Sequence, residues 1–125
     1  MKIMAMDYGK KRIGLALVDT EVGVVLPYGK LETRNWKLGM SDVVKEQGIA
    51  EIVVGLPLGL DGKENENTGR VRLFAEDLKK ETDVPIAFVD ERFTTREAER
   101  MGGDVSADEK AAMLILRSYV ERLKS

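Results

Sequence analysis

The sequence predicts an α/β fold, a mixed five-stranded sheet with its first strand at the centre. Three observations carry this. The apolar run Ile3-Met4-Ala5-Met6 begins almost at the first residue, as in a strand buried on both faces. The next two apolar segments follow over connections too short for a helix, so they are antiparallel neighbours. The last two are each preceded by a helical pattern, which makes them parallel crossovers.

In order, strand 2–7 ends on Asp7 and a basic turn, Tyr8-Gly9-Lys10-Lys11-Arg12. Residues 13–18 form the second strand and 22–33 the third, where Pro27 requires an edge position or a bulge. Asn35 suits a helix cap, Trp36, Met40, Val43 and Val44 follow at helical spacing, and Gly48 stops the helix. Strand 49–54 leads into the turn-rich Gly55-Leu56-Pro57-Leu58-Gly59 and the polar run Lys63–Asn67, so residues 58–68 are expected to be the most mobile internal segment. Val71, Phe74, Ala75 and Leu78 mark a helix, and strand 86–89 ends on Asp90-Glu91-Arg92. Thr94–Glu97 and Ser106–Glu109 each fit a capping box, opening a short helix and a final one running to about Leu123.

Composition narrows the chemistry. At 125 residues, 43% apolar and 34% charged, the chain suits one domain over residues 1–125. It has no cysteine and no histidine, which removes disulfides, thiolate and Ser-His-Asp catalysis, and histidine or zinc–sulfur metal sites. Any metal would be held by oxygens, which favours magnesium or manganese. A net charge of −2 gives no overall basic field, although a local patch can still bind phosphates. MKIMAMDYG is not a signal peptide and no stretch approaches a membrane span, so the cytosol is the expected location.

The acids carry the functional signal. Asp7 and the Asp90-Glu91 pair lie at strand ends, where open α/β sheets place binding and catalytic groups. On the last helix Asp108, Ala112, Ile115 and Tyr119 form one narrow stripe flanked by Ala111, so Asp108 points along the core-facing side and needs a hydrogen-bond or metal partner. Ordinary roles compete: Asp7 also suits a turn, and Asp108 the free N–H groups of a first helical turn. Converging carboxylates repel one another, and a divalent cation removes the repulsion. Two such ions can activate water and stabilise the leaving oxygen in phosphodiester cleavage, without histidine or cysteine. Lys10, Lys11, Arg12 and Arg92 could hold phosphates, or could be ordinary solvated turn residues. Gly9 and Gly14 suit close backbone approach or simple hairpin geometry.

The segments DYGKKRIGLAL, VVGLPLGLDG, VDERFTTREAE and DEKAAMLIL resemble those of the YqgF/RuvX family, described as Holliday junction resolvases and as pre-16S ribosomal RNA nucleases. The resemblance covers essentially the whole chain. It implies an RNase H-like fold, strand order 3-2-1-4-5, with helices on both faces. It marks Asp7, Glu91 and Asp108 as catalytic carboxylates holding Mg²⁺ or Mn²⁺, and Gly55-Leu56-Pro57 as a border of the same cleft. Phe93 stands where leucine is more usual, and Arg117 replaces a glutamine; neither touches the implied ligands. Asp90 is the alternative fourth acid, but in an extended chain it and Glu91 point to opposite sides, and Glu91 is the choice. Asp61 and Glu64 are weaker candidates that could close over substrate.

The implied partner is nucleic acid, structured RNA ahead of branched DNA, for a monomer or homodimer with no membrane association. Two rivals stand beside the nuclease: a nucleotide-binding module, and a maturation factor that binds RNA without cutting. The aromatics open to RNA stacking, Tyr8, Tyr28, Trp36 and Phe93, equally suit a core.

Overall fold

The computed structural model describes residues 1–90 and 105–124. Strands β1 (Lys2–Tyr8), β2 (Arg12–Asp19), β3 (Val25–Glu32), β4 (Ile49–Leu56) and β5 (Ile86–Asp90) form one sheet in the order β3-β2-β1-β4-β5. β1 is central, antiparallel to β2 and parallel to β4; β2–β3 is antiparallel and β4–β5 parallel, as the connection lengths require. The helices are α1 (Lys37–Gln47), α2 (Glu66–Glu81) and α3 (Ala107–Lys124).

The alternation of β1 divides the core in two. Met4 and Met6 face α1 and α2, among Trp36, Met40, Val71, Phe74 and Leu78. Ile3 and Ala5 face α3, among Ala112, Met113, Ile115 and Leu116. Side chains of this size, fully buried, each contribute roughly 1.5–3 kcal/mol. Trp36 is buried against the edge of Phe74, Tyr8 stacks on the same ring, and the Tyr28 hydroxyl accepts from Gln47 Nε2 at 2.9 Å. Trp36 is thus part of the core, Tyr8 and Tyr28 are half-buried against it, and Phe93 lies outside the described residues.

Pro27 occupies both kinds of position expected of it. β3 is an edge strand, and its register with β2 shifts beside Pro27: Gly14 pairs with Lys30 but Ala16 with Pro27, so Tyr28 and Gly29 together oppose Leu15. Gly29 takes the positive φ of 82° that the bulge requires. Gly48 ends α1 in the left-handed region, its N–H donating to the Val44 and Lys45 carbonyls.

Several boundaries differ from expectation. β3 begins at Val25, because Asp19 accepts the Val22 and Gly23 amides and holds residues 19–23 in a turn. Asn35 does not cap α1: residues Thr33–Asn35 form a 3-10 turn, and Trp36 is the N-cap position, without a side-chain bond. β4 runs on through Gly55 and Leu56 because both still pair with β5. α2 begins inside the supposed loop: Asn65 Oδ1 accepts from the Asn67 and Thr68 amides, and Thr68 Oγ1 accepts from the Asn65 amide. Thr68 is wholly buried, its hydroxyl donating to the Pro57 carbonyl, so residues 65–68 belong to an anchored cap. The short helix and capping box expected from Thr94 lie outside the described residues.

Candidate active site

The site is built on the edge of the sheet where β1 ends. Asp7 is directly opposite Gly14 in the antiparallel β1–β2 pair, and opposed residues share a face. That face is α3's, since the neighbouring pairs Ala5–Ala16 and Ile3–Val18 all belong to the core beneath α3. α3 begins above it. A Cβ on Gly14 would stand 1.9 Å from the Asp108 carbonyl oxygen, so the missing side chain is what admits the first turn of α3. Opposed Cβ positions lie ~5 Å apart, which makes Asp7 and Asp108 neighbours across the space over Gly14.

Asp108 follows the predicted stripe, with Ala112 and Ile115 wholly buried below it. At the rim its side chain keeps 30% exposure, and its partner is Arg12, whose Nε donates to Oδ2 at 3.0 Å. The requirement for a partner is met here by a guanidinium 96 positions away in sequence.

The next residue anchors the helix. Glu109 Oε2 accepts the Gly29 amide at 2.7 Å, the N–H that the β3 bulge directs at α3. Its Oε1 accepts the Ser106 hydroxyl at 2.9 Å, and Ser106 Oγ accepts the Glu109 amide, the serine half of the predicted capping box. The Gly29 amide foremost, then Ser106 and the nearby Lys30, hold the Glu109 carboxyl below its ordinary 4.5, against the opposing effect of partial burial.

The structure brings some predicted residues together and not others. Gly9, Lys10 and Pro57 line a cleft of about 280 Å³ with Tyr8, Asn67 and Arg70. Gly55 pairs with Val89 and Leu56 with Asp90, so this segment borders the same sheet edge as Asp7. Lys10, Lys11 and Arg12 are exposed on a turn held by Thr33, whose hydroxyl donates to the Gly9 carbonyl at 2.7 Å and whose amide donates to the Lys11 carbonyl at 3.0 Å. Asp90 shares the parity of Ile86 and Phe88, on the α1–α2 side, whereas Asp7 is on the α3 side. Asp61 caps its own turn by accepting the Lys63 amide, and Glu64 pairs with Arg72. Glu91 and Arg92 lie outside the described residues. Sequence reasoning missed Thr33, Lys30 and the anchoring bond of Glu109; Ser106–Glu109 was legible as a cap, but its tie to Gly29 spans 80 positions.

Among the described residues no group of three acids converges as a metal centre. Asp7 and Asp108 are two oxygen-only ligand groups on one face, which fits a hard divalent cation better than a soft one. No helix among the described residues is long and apolar enough to cross a membrane.

A mixed sheet in this order, with helices on both faces and an acid ending its central strand, is an RNase H-like domain. The chain belongs to the RuvX family: the family model, described as Holliday junction resolvase, matches residues 1–122. A protein of Dictyoglomus turgidum described as "Putative pre-16S rRNA nuclease" is 36% identical over 135 residues, covering 98% of this chain and 96% of that protein. A Rhodobacter capsulatus protein of the same description is 36% identical over 133 residues, covering 97% and 84%. Among solved structures, Thermus thermophilus RuvC in complex with a Holliday junction substrate superposes with a TM-score of 0.67 at 12% identity, covering 98% of this chain and 96% of that one. The Fowlpox virus resolvase bound to Holliday junction DNA gives 0.62 at 12% identity, with complete coverage of both. These two likenesses show the fold, and family membership makes the chain a nuclease-type protein.

Proposed function

We propose that this protein is a Mg²⁺- or Mn²⁺-dependent endonuclease that hydrolyses phosphodiester bonds in the 16S ribosomal RNA precursor. The observation that carries this reading is the juxtaposition of Asp7 and Asp108 over Gly14, on one face of the sheet at the end of its central strand. The description shared by its relatives supports an RNA substrate.

Asp7 and Asp108, joined by Glu91 from the segment after β5, would hold the cation. When bound, the cation supplies an activated water and neutralises charge at the leaving oxygen. The centre of the sheet fixes the Asp7 backbone, and the capped, anchored start of α3 fixes that of Asp108. Arg12 stands beside Asp108, where its guanidinium can take a substrate phosphate in bidentate fashion. Lys10 and Lys11, on the same turn, add charge for the flanking backbone.

A second reading, cleavage of branched DNA, is favoured by the family's description as Holliday junction resolvase. One experiment separates the two. Purified protein with Mg²⁺ or Mn²⁺ is offered a 16S precursor, single-stranded RNA, duplex DNA and a four-way junction side by side. Cutting of the precursor supports the RNA reading, and cutting of the junction alone replaces it. D7N, which keeps size but removes charge, is expected to lower cleavage at least ~100-fold. It should lose little stability in EDTA, or even gain some, because a carboxylate repulsion is relieved. Activity that survives D7N in a nuclease-free preparation sinks the role of Asp7. Binding without cutting would indicate the RNA-binding factor, and a melt raised by ATP-Mg²⁺ but not by RNA the nucleotide module.

A further inference from the structure

The β1–β2 turn and the end of β3 enclose a second feature at this edge of the sheet. A groove of about 570 Å³ lies between them, lined by Lys10, Lys11, Arg12, Lys30 and Arg34, with Glu32 as the one acid among the described lining residues. Among the described lining residues, five cations against one carboxylate make a concentrated positive site on a chain whose net charge is −2. Arg34 pairs with Glu32 at 3.3 Å and Arg12 with Asp108 at 3.0 Å. Lys10, Lys11 and Lys30 have no ion pair within 4 Å among the described residues, and all three are exposed. Packing does not explain this concentration of like charge, since Leu31 is the one apolar residue in the described lining. Like charges held in a concave site favour a multivalent anion.

We infer that this groove binds the phosphodiester backbone of a nucleic acid strand on the β3 side of the acidic site, with Lys30 and Arg34 as phosphate contacts in addition to the turn residues. The inference rests on the nuclease reading and deepens it. Geometry ties the groove to the acids: β1 ends, β2 begins and β3 ends on this one edge, and Arg12 belongs to both features. β3 stands two strand spacings, ~10 Å, from β1, so a backbone in the groove runs on toward Asp7. Among the described residues no aromatic lines the groove, so binding there is through phosphates, tolerant of sequence and steeply dependent on salt. The turn is rigidified by Thr33, which presents Lys10 and Lys11 at fixed positions rather than on a free loop.

The test is fluorescence anisotropy of a labelled single-stranded RNA, and of DNA of the same sequence, titrated in EDTA at several salt concentrations. Each lost phosphate contact flattens the log–log salt dependence by ~0.7 for a single strand. K11A/K30A is therefore expected to flatten it by ~1.4 on both strands, and to weaken binding uniformly across sequences. K11R/K30R should keep the wild-type slope, because only charge is required. K79A/K80A, on the far turn of α2, serves as a control for general loss of charge. An unchanged slope in K11A/K30A, or an equal loss in the control, overturns the groove. Wild type that binds with the expected slope but cuts nothing with either metal leaves the groove standing and removes the nuclease reading. Metal-dependent cutting whose KM and salt slope ignore K11A/K30A does the reverse.

Discussion

The carbonyl oxygen of Asp108 occupies the place of a Gly14 side chain: a Cβ there would be 1.9 Å away. The contact is backbone against backbone, and no side-chain rotation relieves it. G14A must therefore push the first turn of α3 off the sheet, costing ~1–3 kcal/mol or more as overpacking does. Because Asp7 is Gly14's cross-strand partner, the same displacement separates the two carboxylates. Thermal melts should show the destabilisation, and cleavage should fall further than the loss of folded protein accounts for. Gly69, inside α2, is the counter-case. Nothing lies within 4 Å of its added Cβ, and G69A should stabilise by ~0.5–1 kcal/mol by restricting the unfolded chain. Equal melting points for G14A and wild type would refute the close approach.

Glu109 gives α3 a dependence on pH. Its folded pKa is depressed, chiefly by the Gly29 amide, so its contribution is fully present above the ordinary 4.5 and is lost as pH falls through the lower folded value. E109Q can still accept the Gly29 N–H, but not as a charge-assisted bond, and should cost ~1 kcal/mol at neutral pH. E109A strands that amide and should cost ~1–3 kcal/mol. Melts from neutral pH down to acid should therefore converge for wild type and E109Q. A gap between them that stays constant through the acid limb would show that charge is not what Glu109 contributes.

On the same helix, Tyr119 behaves in the opposite sense. The hydrogen bond to Glu51 foremost, then burial and the Glu51 charge, push its hydroxyl up to about 12. The neutral phenol is thus favoured by folding. Its contribution is complete below the ordinary 10.0 and is lost as pH rises through about 12. Glu51 Oε1 is already buried without a hydrogen-bond partner among the described residues, so Y119F leaves this carboxylate poorer still. The expected cost is ~1–3 kcal/mol, with ultraviolet titration of wild type losing a transition near 12 in the variant. A difference spectrum centred at 10 would contradict the Glu51 bond.

Local patterns in the sequence were enough to draw most of the sheet. The unbroken apolar run Ile3 to Met6, the short β1–β2 and β2–β3 connections, and Pro27 each report a constraint acting within a few residues. So does the stripe that turns Asp108 inward, and the Ser106–Glu109 box. The Asn65 cap was harder to read because its partner is Thr68 instead of the usual Glu or Gln, and the polar run around it resembles a loop. Asn35 misled for the converse reason: a good capping residue was overridden by a 3-10 turn that lets Trp36 enter the core. The pairings of Arg12 with Asp108 and of Gly29 with Glu109 are tertiary, joining residues 96 and 80 positions apart, and leave no periodic trace. Lys30 and Arg34 became part of a groove only because β3 folds back along β2.

The Arg12–Asp108 pair makes the two ends of the site answer to each other. While the guanidinium holds the carboxylate, a cation must displace it; while it does so, a phosphate must draw it away. Whichever arrives first lightens the task of the second, and by reciprocity the gain is the same in either order. The pair is half-exposed, so the coupling is modest, within ~1 kcal/mol or about fivefold. Protein carrying R12Q and free of nucleic acid should accordingly bind Mn²⁺ a few-fold more tightly than wild type by calorimetry, and RNA should no longer improve that affinity through Arg12. Unaltered Mn²⁺ binding in R12Q would mean the two ends act separately. If the coupling holds, the idle protein carries its own plug, and only the polyanion that belongs in the groove pulls it.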